Sequence, residues 1–296
     1  MNRTPQSRRF WRIFGPILGY WGIQFGAQLV VSMAGIALNA QKFTEVILTA
    51  TEENFIEKMS EFYMILLEQF LQHYSLVAAV LALATIPMTA ILFTRDRKAE
   101  RQMQLPARQM APGRQYAWIL LFGTVLCVGA NVIIAMSGLA MKDVSYFSSS
   151  EKLYSEGILV MLVCQGLIIP IAEELMFRGV LFKRCREQMS FYGAAISVSC
   201  FFALIHGSIT QLIYTLILGM FLAYFYEKYG SLKAPVLLHI LVNSVSIIIT
   251  KTGILVWLCS DFMRMAVCFI GCAFIGAVAF VRIQKIEMKT EVQVEI

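Results

Sequence analysis

Two adjacent carboxylates, Glu173 and Glu174, stand in one of the most apolar stretches of this chain, and Arg178 follows four residues after the second. The preceding residues 158–172 carry no charge and are typical of a membrane segment. Ionisable side chains at membrane depth cost at least a few kcal/mol and by default mark a functional site. On a helix Glu174 and Arg178 are i, i+4 neighbours that can pair. Glu173 points about 100° away and is free to accept a proton as a general base.

Two further apolar segments each contain a histidine, His206 and His239, although the chain has only three histidines. His239 and Asn243 are spaced i, i+4 and share a helix face. Their imidazole and amide offer two donors, which suits an oxyanion hole for acyl transfer. If the apolar segments on either side of the basic turn at residues 186–191 form a helical hairpin, the helical rise puts Glu173 and His206 at similar depth, about 20 Å from that turn. The same count predicts a shallower His239, about 9 Å in, unless its loop dips inward.

The composition indicates a polytopic membrane protein, folded as a single helical unit over residues 1–296. Hydrophobic residues make up 58% of the chain and charged residues 15%, with a mean hydropathy of +0.68. A soluble domain carries about 25% charged residues. The net charge of +6 does not indicate nucleic-acid binding, because the basic residues lie in short segments between apolar runs. The seven cysteines form no Cys-x-x-Cys pair, so neither a zinc knuckle nor a disulfide framework is indicated.

We predict an all-α fold with about eight transmembrane helices, since eight segments are long and apolar enough to span a bilayer. The candidate functional residues fall in the fourth, fifth and seventh. The fifth and sixth are short and are joined by only three residues, which leaves re-entrant segments as an alternative there. The predicted spans are residues 13–38, 74–93, 116–138, 157–182, 191–206, 210–226, 234–250 and 264–282.

The charges of the connecting segments predict the orientation. The N-terminal segment, residues 94–115 and residues 183–186 are rich in arginine and lysine, and all three fall on one side if eight spans alternate. The positive-inside rule makes that side cytoplasmic. Residues 39–72, with six glutamates against two lysines, then form an extracytoplasmic acidic segment. We therefore expect an integral protein, of a bacterial-type cell membrane, with both termini in the cytoplasm.

Three ordered motifs resemble a known family. They are Glu-Glu-x-x-x-Arg at 173–178, Phe-x-x-x-His at 202–206 and His-x-x-x-Asn at 239–243. Together they resemble the signature of the CPBP family, the CAAX prenyl proteases and bacteriocin-processing enzymes, also called the Abi family. The resemblance covers residues 155–250, a predicted catalytic core, whereas the first 150 residues match only in membrane character.

The resemblance implies an eight-helix intramembrane endopeptidase that acts on a membrane protein or peptide. Glu173 would be its general base, and His206 would orient and activate the water. His239 and Asn243 would stabilise the oxyanion, while Glu174 and Arg178 would give structural support.

The need for a metal is left open by the residues. Family members are often catalogued as metalloproteases, and His206, His239 and Glu173 could form a two-histidine, one-carboxylate zinc site. However, the chain has no His-Glu-x-x-His helix. The Glu/His/His/Asn set already fills the base and oxyanion roles, so we expect no cofactor.

Two other classes of function also fit the pattern. An immunity or scaffold protein could keep the fold without cleaving anything, because function does not follow from fold. A proton-coupled transporter could use Glu173 and the histidines as a relay. Transporters often contain internal repeats, and none is visible in this sequence. The residues indicate neither prenyl binding nor an oligomeric state.

Overall fold

The predicted all-α fold is confirmed by a computed structural model that describes residues 5–103 and 109–286. All the regular elements in these two ranges are helical. A single 3₁₀ turn, Gly113–Gln115, precedes α5. The helices are α1 Pro5–Leu38, α2 Ala40–Thr49, α3 Phe55–Gln72, α4 Tyr74–Gln102, α5 Tyr116–Ser137, α6 Leu139–Lys142, α7 Val144–Leu153, α8 Ile158–Arg186, α9 Phe191–Leu204, α10 Ile209–Tyr229, α11 Lys233–Lys251, α12 Ile254–Cys259 and α13 Phe262–Gln284.

By length and composition, seven helices in the described ranges are able to cross a membrane: α1, α4, α5, α8, α10, α11 and α13. The predicted fifth span is the exception. It forms α9, an apolar helix of only 14 residues, about 21 Å long. A bilayer core is about 30 Å thick, so α9 alone is too short to cross it, and the total of eight spans stays a prediction.

The acidic segment 39–72 folds as two helices, α2 and α3, rather than as an irregular loop. Asn39, between α1 and α2, donates its side-chain amide to the Gly35 carbonyl at 2.9 Å and to Gln69 Oε1 at 2.8 Å. These bonds fasten the start of the segment to the end of α3. The prediction that this segment is extracytoplasmic is not tested by the fold.

Helix α8 departs from regular α-helix on both sides of the paired carboxylates. Cys164–Ile168 and Leu175–Phe182 are π-helical, and the α-helical stretch Ile169–Glu174 lies between them. The Ile169 N–H bonds to the Cys164 carbonyl, five residues back. The next bond in this pattern would come from Pro170, which has no N–H. The Gln165 carbonyl is therefore left for another donor. Such π-helical turns occur frequently at functional sites.

Two ion pairs, of which Arg184–Asp96 is buried, fasten the basic end of α8 to its neighbours. Arg184 donates to Asp96 of α4 at 2.7 Å and to the Arg12 carbonyl of α1 at 2.8 Å. Lys183 pairs with Glu100 at 2.7 Å. Removing one partner of a buried pair typically costs about 3–5 kcal/mol. This end of the bundle is therefore held closed by charge as well as by apolar packing.

Helices α9 and α10 form a tightly packed hairpin at Ser199 and Gly219. A Cβ on Gly219 would lie 2.8 Å from the Ser199 Cβ, and only glycine permits that approach without a backbone shift. The Gly219 carbonyl is consequently within reach of the neighbouring helix α8, where it accepts a hydrogen bond from Arg178 at 3.1 Å.

Candidate active site

Glu174 is fully buried and is bonded on two sides. Arg178 Nη1 donates to Glu174 Oε1 at 2.7 Å, and both side chains have no exposed surface. His239 Nδ1 lies 2.9 Å from the same oxygen. The i, i+4 pair expected from the sequence is therefore present, and the cationic guanidinium balances the Glu174 carboxylate.

Glu173 has a different environment, as the spacing predicted. Its side chain is 15% exposed and it lines the central cavity. Its carboxylate Oε2 lies 3.7 Å from His239 Nε2, beyond hydrogen-bond distance. Of two carboxylates adjacent in the chain, one is locked in an ion pair and the other faces open space.

His239 lies between the two glutamates, with Nδ1 toward Glu174 and Nε2 toward Glu173. An ionised carboxylate only accepts hydrogen bonds, so the hydrogen between His239 and Glu174 belongs to Nδ1. The second nitrogen, Nε2, is left to face the cavity. Glu174 thereby sets the orientation and tautomer of this ring.

The depth count that placed His239 nearer the surface than Glu173 is wrong. The count took α11 to begin at the surface, but the connection before it enters the bundle, where Leu232 packs against Gly179 of α8. Six residues separate Glu173 from Gly179, and seven separate Leu232 from His239. Both intervals are about 9–10 Å of helix, so the two side chains meet at one level.

His206 lies beyond the end of α9 and not on a helix. The helix ends at Leu204, and Gly207 adopts a left-handed φ of 74°, as is common where helices terminate. His206 Nδ1 is 2.7 Å from the Phe202 carbonyl. A carbonyl can only accept, so Nδ1 carries the hydrogen and Nε2 keeps its lone pair. This nitrogen is suited to accept a hydrogen bond from water.

Phe202 is a site residue to which the sequence reasoning assigned no role. Its fully buried ring lies 4.8 Å from the His206 ring and 5.7 Å from the His239 ring. The Arg178 guanidinium stacks over it at 4.8 Å. The Phe202 ring thus contacts three polar groups, the His206 ring, the His239 ring and the Arg178 guanidinium, and lies between them. Its position four residues before His206 was the available signal.

Asn243 supplies the donor that α8 lacks. Its Nδ2 donates to the Gln165 carbonyl at 3.0 Å, the carbonyl that Pro170 cannot satisfy. Asn243 keeps a second amide hydrogen.

Gln165 is another site residue that the sequence reasoning missed, although a glutamine within an apolar run is itself a signal. Its buried side chain donates to Ser75 Oγ at 2.6 Å and to the Leu153 carbonyl at 2.8 Å.

The predicted catalytic residues Glu173, His206, His239 and Asn243 all line one cavity of about 390 Å³. This volume falls in the usual range of small-molecule and substrate sites, roughly 300–1,000 Å³. Much of the remaining wall is polar without being charged, and it includes Tyr20, Tyr74, Tyr146, Tyr154 and Tyr214.

Within the described ranges, no three His, Cys, Asp or Glu side chains are grouped so that they could hold an ion. The alternative zinc set of His206, His239 and Glu173 is not found as such a group. Water activation without a metal stays a prediction.

Comparison with known proteins finds a family match over the segment that contains the site. Residues 155–245, which include all the predicted site residues, match the family described as Type II CAAX prenyl endopeptidase Rce1-like. The predicted CPBP-type resemblance is therefore confirmed for this segment.

A curated relative covers a similar length. Over 93 residues the chain is 24% identical to the Bacillus subtilis (strain 168) protein named "Putative membrane peptidase YdiL". The match covers 31% of this chain and 38% of that protein, so it spans well under half of the relative. No solved structure matches the chain.

Proposed function

We propose that this protein is an intramembrane endopeptidase that hydrolyses a peptide bond of a membrane-associated protein or peptide, using water activated by Glu173. One observation carries the proposal: Glu173 faces the cavity while Glu174 is buried against Arg178 and His239. A scaffold has no need of an uncommitted carboxylate at this depth, where ionisable groups are expensive. The Rce1-like match over the same residues supports the same class.

In the first step, a water molecule is held between the Glu173 carboxylate and His206 Nε2. Glu173 takes one proton from the water as general base. His206 accepts a hydrogen bond from the other hydrogen and orients the oxygen. That oxygen attacks the carbonyl carbon of the scissile peptide bond, and a tetrahedral intermediate with a negative oxygen forms.

In the second step, Asn243 and His239 stabilise this oxyanion. Asn243 donates its second amide hydrogen, because the first is held by Gln165. His239 donates from Nε2 when the ring is doubly protonated, since both ring nitrogens are then donors. The intermediate then collapses, the C–N bond breaks, and Glu173 returns its proton to the leaving amine.

Three other side chains position these groups without touching the substrate. Glu174 and Phe202 fix the His239 ring from two directions, and Arg178 holds Glu174. A catalytic group displaced by even 1 Å can lose about 10²-fold in rate. We therefore expect these buried residues to influence turnover only through the placement of His239.

The proposal is tested by comparing the peptides and new protein N-termini of cells that produce the intact protein, Glu173→Gln or Glu57→Gln. Glu57 is an exposed glutamate of α3, so the control makes the same chemical change away from the site. We expect products with the intact protein and Glu57→Gln that vanish with Glu173→Gln. Identical product sets in all three would contradict a peptidase based on Glu173.

A further inference from the structure

We propose that the cavity receives its substrate from the extracytoplasmic side of the membrane, as an uncharged polar peptide segment that has already crossed it. That the bound segment is a substrate rests on the proposed peptidase function. The side from which the cavity opens, however, is a property of the fold and can be measured without any turnover.

The cavity lies on only one side of the Glu173–His239 pair. Its wall residues in α8 run from Gln165 to Glu173 and go no further, and those in α11 begin at His239 and run on to Ile247. Because α8 runs toward the basic turn that follows it and α11 runs away from that end, both sets lie on the same side of the pair. The two reactive side chains therefore form the floor of the cavity.

The other helices show the same one-sidedness. Helix α4 lines the cavity with residues 74–82 of its first half, α5 with residues 127–134 of its second half, and α10 with residues 211–218 of its first half. Below the floor the bundle is filled by buried side chains, among them Phe177, Phe182 and Tyr226. The Asp96–Arg184 pair lies beyond them, at the end of α8.

The charge distribution identifies the closed end as the cytoplasmic one. Residues 94–103 carry four basic side chains and residues 183–186 carry three, and both segments lie at the closed end. The acidic segment 39–72 lies at the open end, with two basic side chains against six glutamates. By the positive-inside rule, the cavity opens to the outside. Helix α7 borders this opening, since its Tyr146 and Ser149 line the cavity.

The side chains that line the cavity between its opening and its floor disfavour a charged substrate. Its polar side chains include Asn131, Tyr146, Tyr154, Gln211, Tyr214 and Ser246. In the described part of the chain, the wall contains no lysine or arginine, and Glu173 is its one carboxylate. A substrate carboxylate would be desolvated here without a cation, which is costly. Backbone amides, hydroxyls and side-chain amides would instead find hydrogen-bond partners. The wall thus fits an internal, uncharged polar segment better than a chain end with a free carboxylate.

The side of entry is tested by thiol labelling with a small membrane-impermeant methanethiosulfonate. Two variants report on the cavity: Ser149→Cys near the opening and Ser246→Cys in the wall. Gln188→Cys, in the exposed turn after α8, is the matched control for the opposite end. Modified sites are located by mass spectrometry, so the native cysteines can stay. Membrane yield and a monodisperse detergent profile confirm that each variant folds.

We expect Ser149→Cys and Ser246→Cys to be modified in intact spheroplasts, and Gln188→Cys only after permeabilisation. The opposite pattern would overturn the proposal. So would a Ser246→Cys that is modified from neither side, because the cavity would then not open outward. Loss of peptidase activity plays no part in this readout, so failure of the proposed function would be seen separately.

The chemical class is tested by binding to the purified Glu173→Gln protein, which removes hydrolysis. The probes are fluorescent heptapeptides of Ser, Asn, Gln and Gly, either blocked at the C-terminus as an amide or left as the free acid. We expect the amide to bind about tenfold more tightly or better. Equal affinities, tighter binding of the free acid, or no binding of the amide would overturn the assignment of an uncharged internal segment.

Discussion

Asn243 donates its side-chain amide to the backbone carbonyl of Gln165 across 3.0 Å. The bond joins α11 to the turn of α8 where Pro170 leaves that carbonyl without a partner. The same amide group is the proposed oxyanion donor. A local irregularity of one helix and a proposed catalytic side chain of another are therefore parts of one arrangement, and variants of Asn243 are expected to have two effects that must be separated.

The first prediction separates these two effects. Asn243→Ala should lower kcat about 10²–10³-fold, by analogy with other oxyanion donors, and should destabilise the fold by about 1–3 kcal/mol because a buried carbonyl is left unpaired. Adding Pro170→Ala restores an N–H for that carbonyl. We expect the double variant to recover thermal stability but not turnover. Recovery of turnover as well would mean that Asn243 serves only the helix.

The second prediction contrasts the two adjacent glutamates. Glu173→Gln should abolish turnover and leave membrane insertion and thermal stability unchanged, because the Glu173 side chain makes no hydrogen bond to the described residues that could be lost. Glu174→Gln should lower stability by about 3 kcal/mol, because it leaves the buried Arg178 without a counter-charge. Thermal unfolding in detergent and product formation are measured for both variants. The reverse pattern would contradict the assignment of Glu173 as the base.

The third prediction concerns metal. Exhaustive dialysis of the purified protein against a strong chelator should leave turnover unchanged, with metal content measured in parallel. The physical reason is that Glu173 and His206 can activate water while His239 and Asn243 receive the developing charge. If activity is lost, is restored by stoichiometric zinc, and Asn243→Ala is nearly neutral, a His206/His239/Glu173 metal site would replace this mechanism.

The fourth prediction concerns the opening of the cavity. Asp143 accepts hydrogen bonds from the Thr210 N–H at 2.8 Å and the Tyr146 N–H at 3.0 Å, and so joins the starts of α10 and α7. The Thr210 backbone hydrogen bond is the main cause of a lowered pKa of the Asp143 carboxyl. A lowered folded-state pKa gives stability that is present above the unfolded value and is lost as pH falls through the folded value.

Asp143→Asn should therefore lower the free energy of unfolding at pH 7. When the pH is lowered to about 3, below the usual aspartate pKa near 3.9, the variant should lose less of its free energy of unfolding than the intact protein. Thermal unfolding of both proteins at the two pH values measures this difference. An equal loss on acidification would show that the two backbone hydrogen bonds do not depend on the charge of Asp143.

The sequence alone predicted the helical class, the pairing of Glu174 with Arg178, and a set of site residues that the structure gathers around one cavity. The helical class follows from the long apolar segments, and the pairing follows from local spacing, which a helix converts directly into neighbours. The sequence could not predict the depth of His239 in the bundle. That depth depends on Leu232 packing against Gly179, a contact between segments more than 50 residues apart in sequence. Nor did spacing reveal the π-helical turns of α8 or the role of Gln165, since both depend on tertiary partners.

The packed layer beneath Glu173 has a further consequence for the membrane itself. Water that enters the cavity reaches the Glu173 carboxylate but meets the buried rings of Phe177, Phe182 and Tyr226 below it. Hydrolysis in the middle of a bilayer needs water, but a continuous aqueous path through the protein would dissipate the ion gradients across the membrane. Under the proposed function, the closed floor would let water enter from one face while the bilayer stays electrically sealed, and both fragments of a cleaved segment would leave by the face through which it entered.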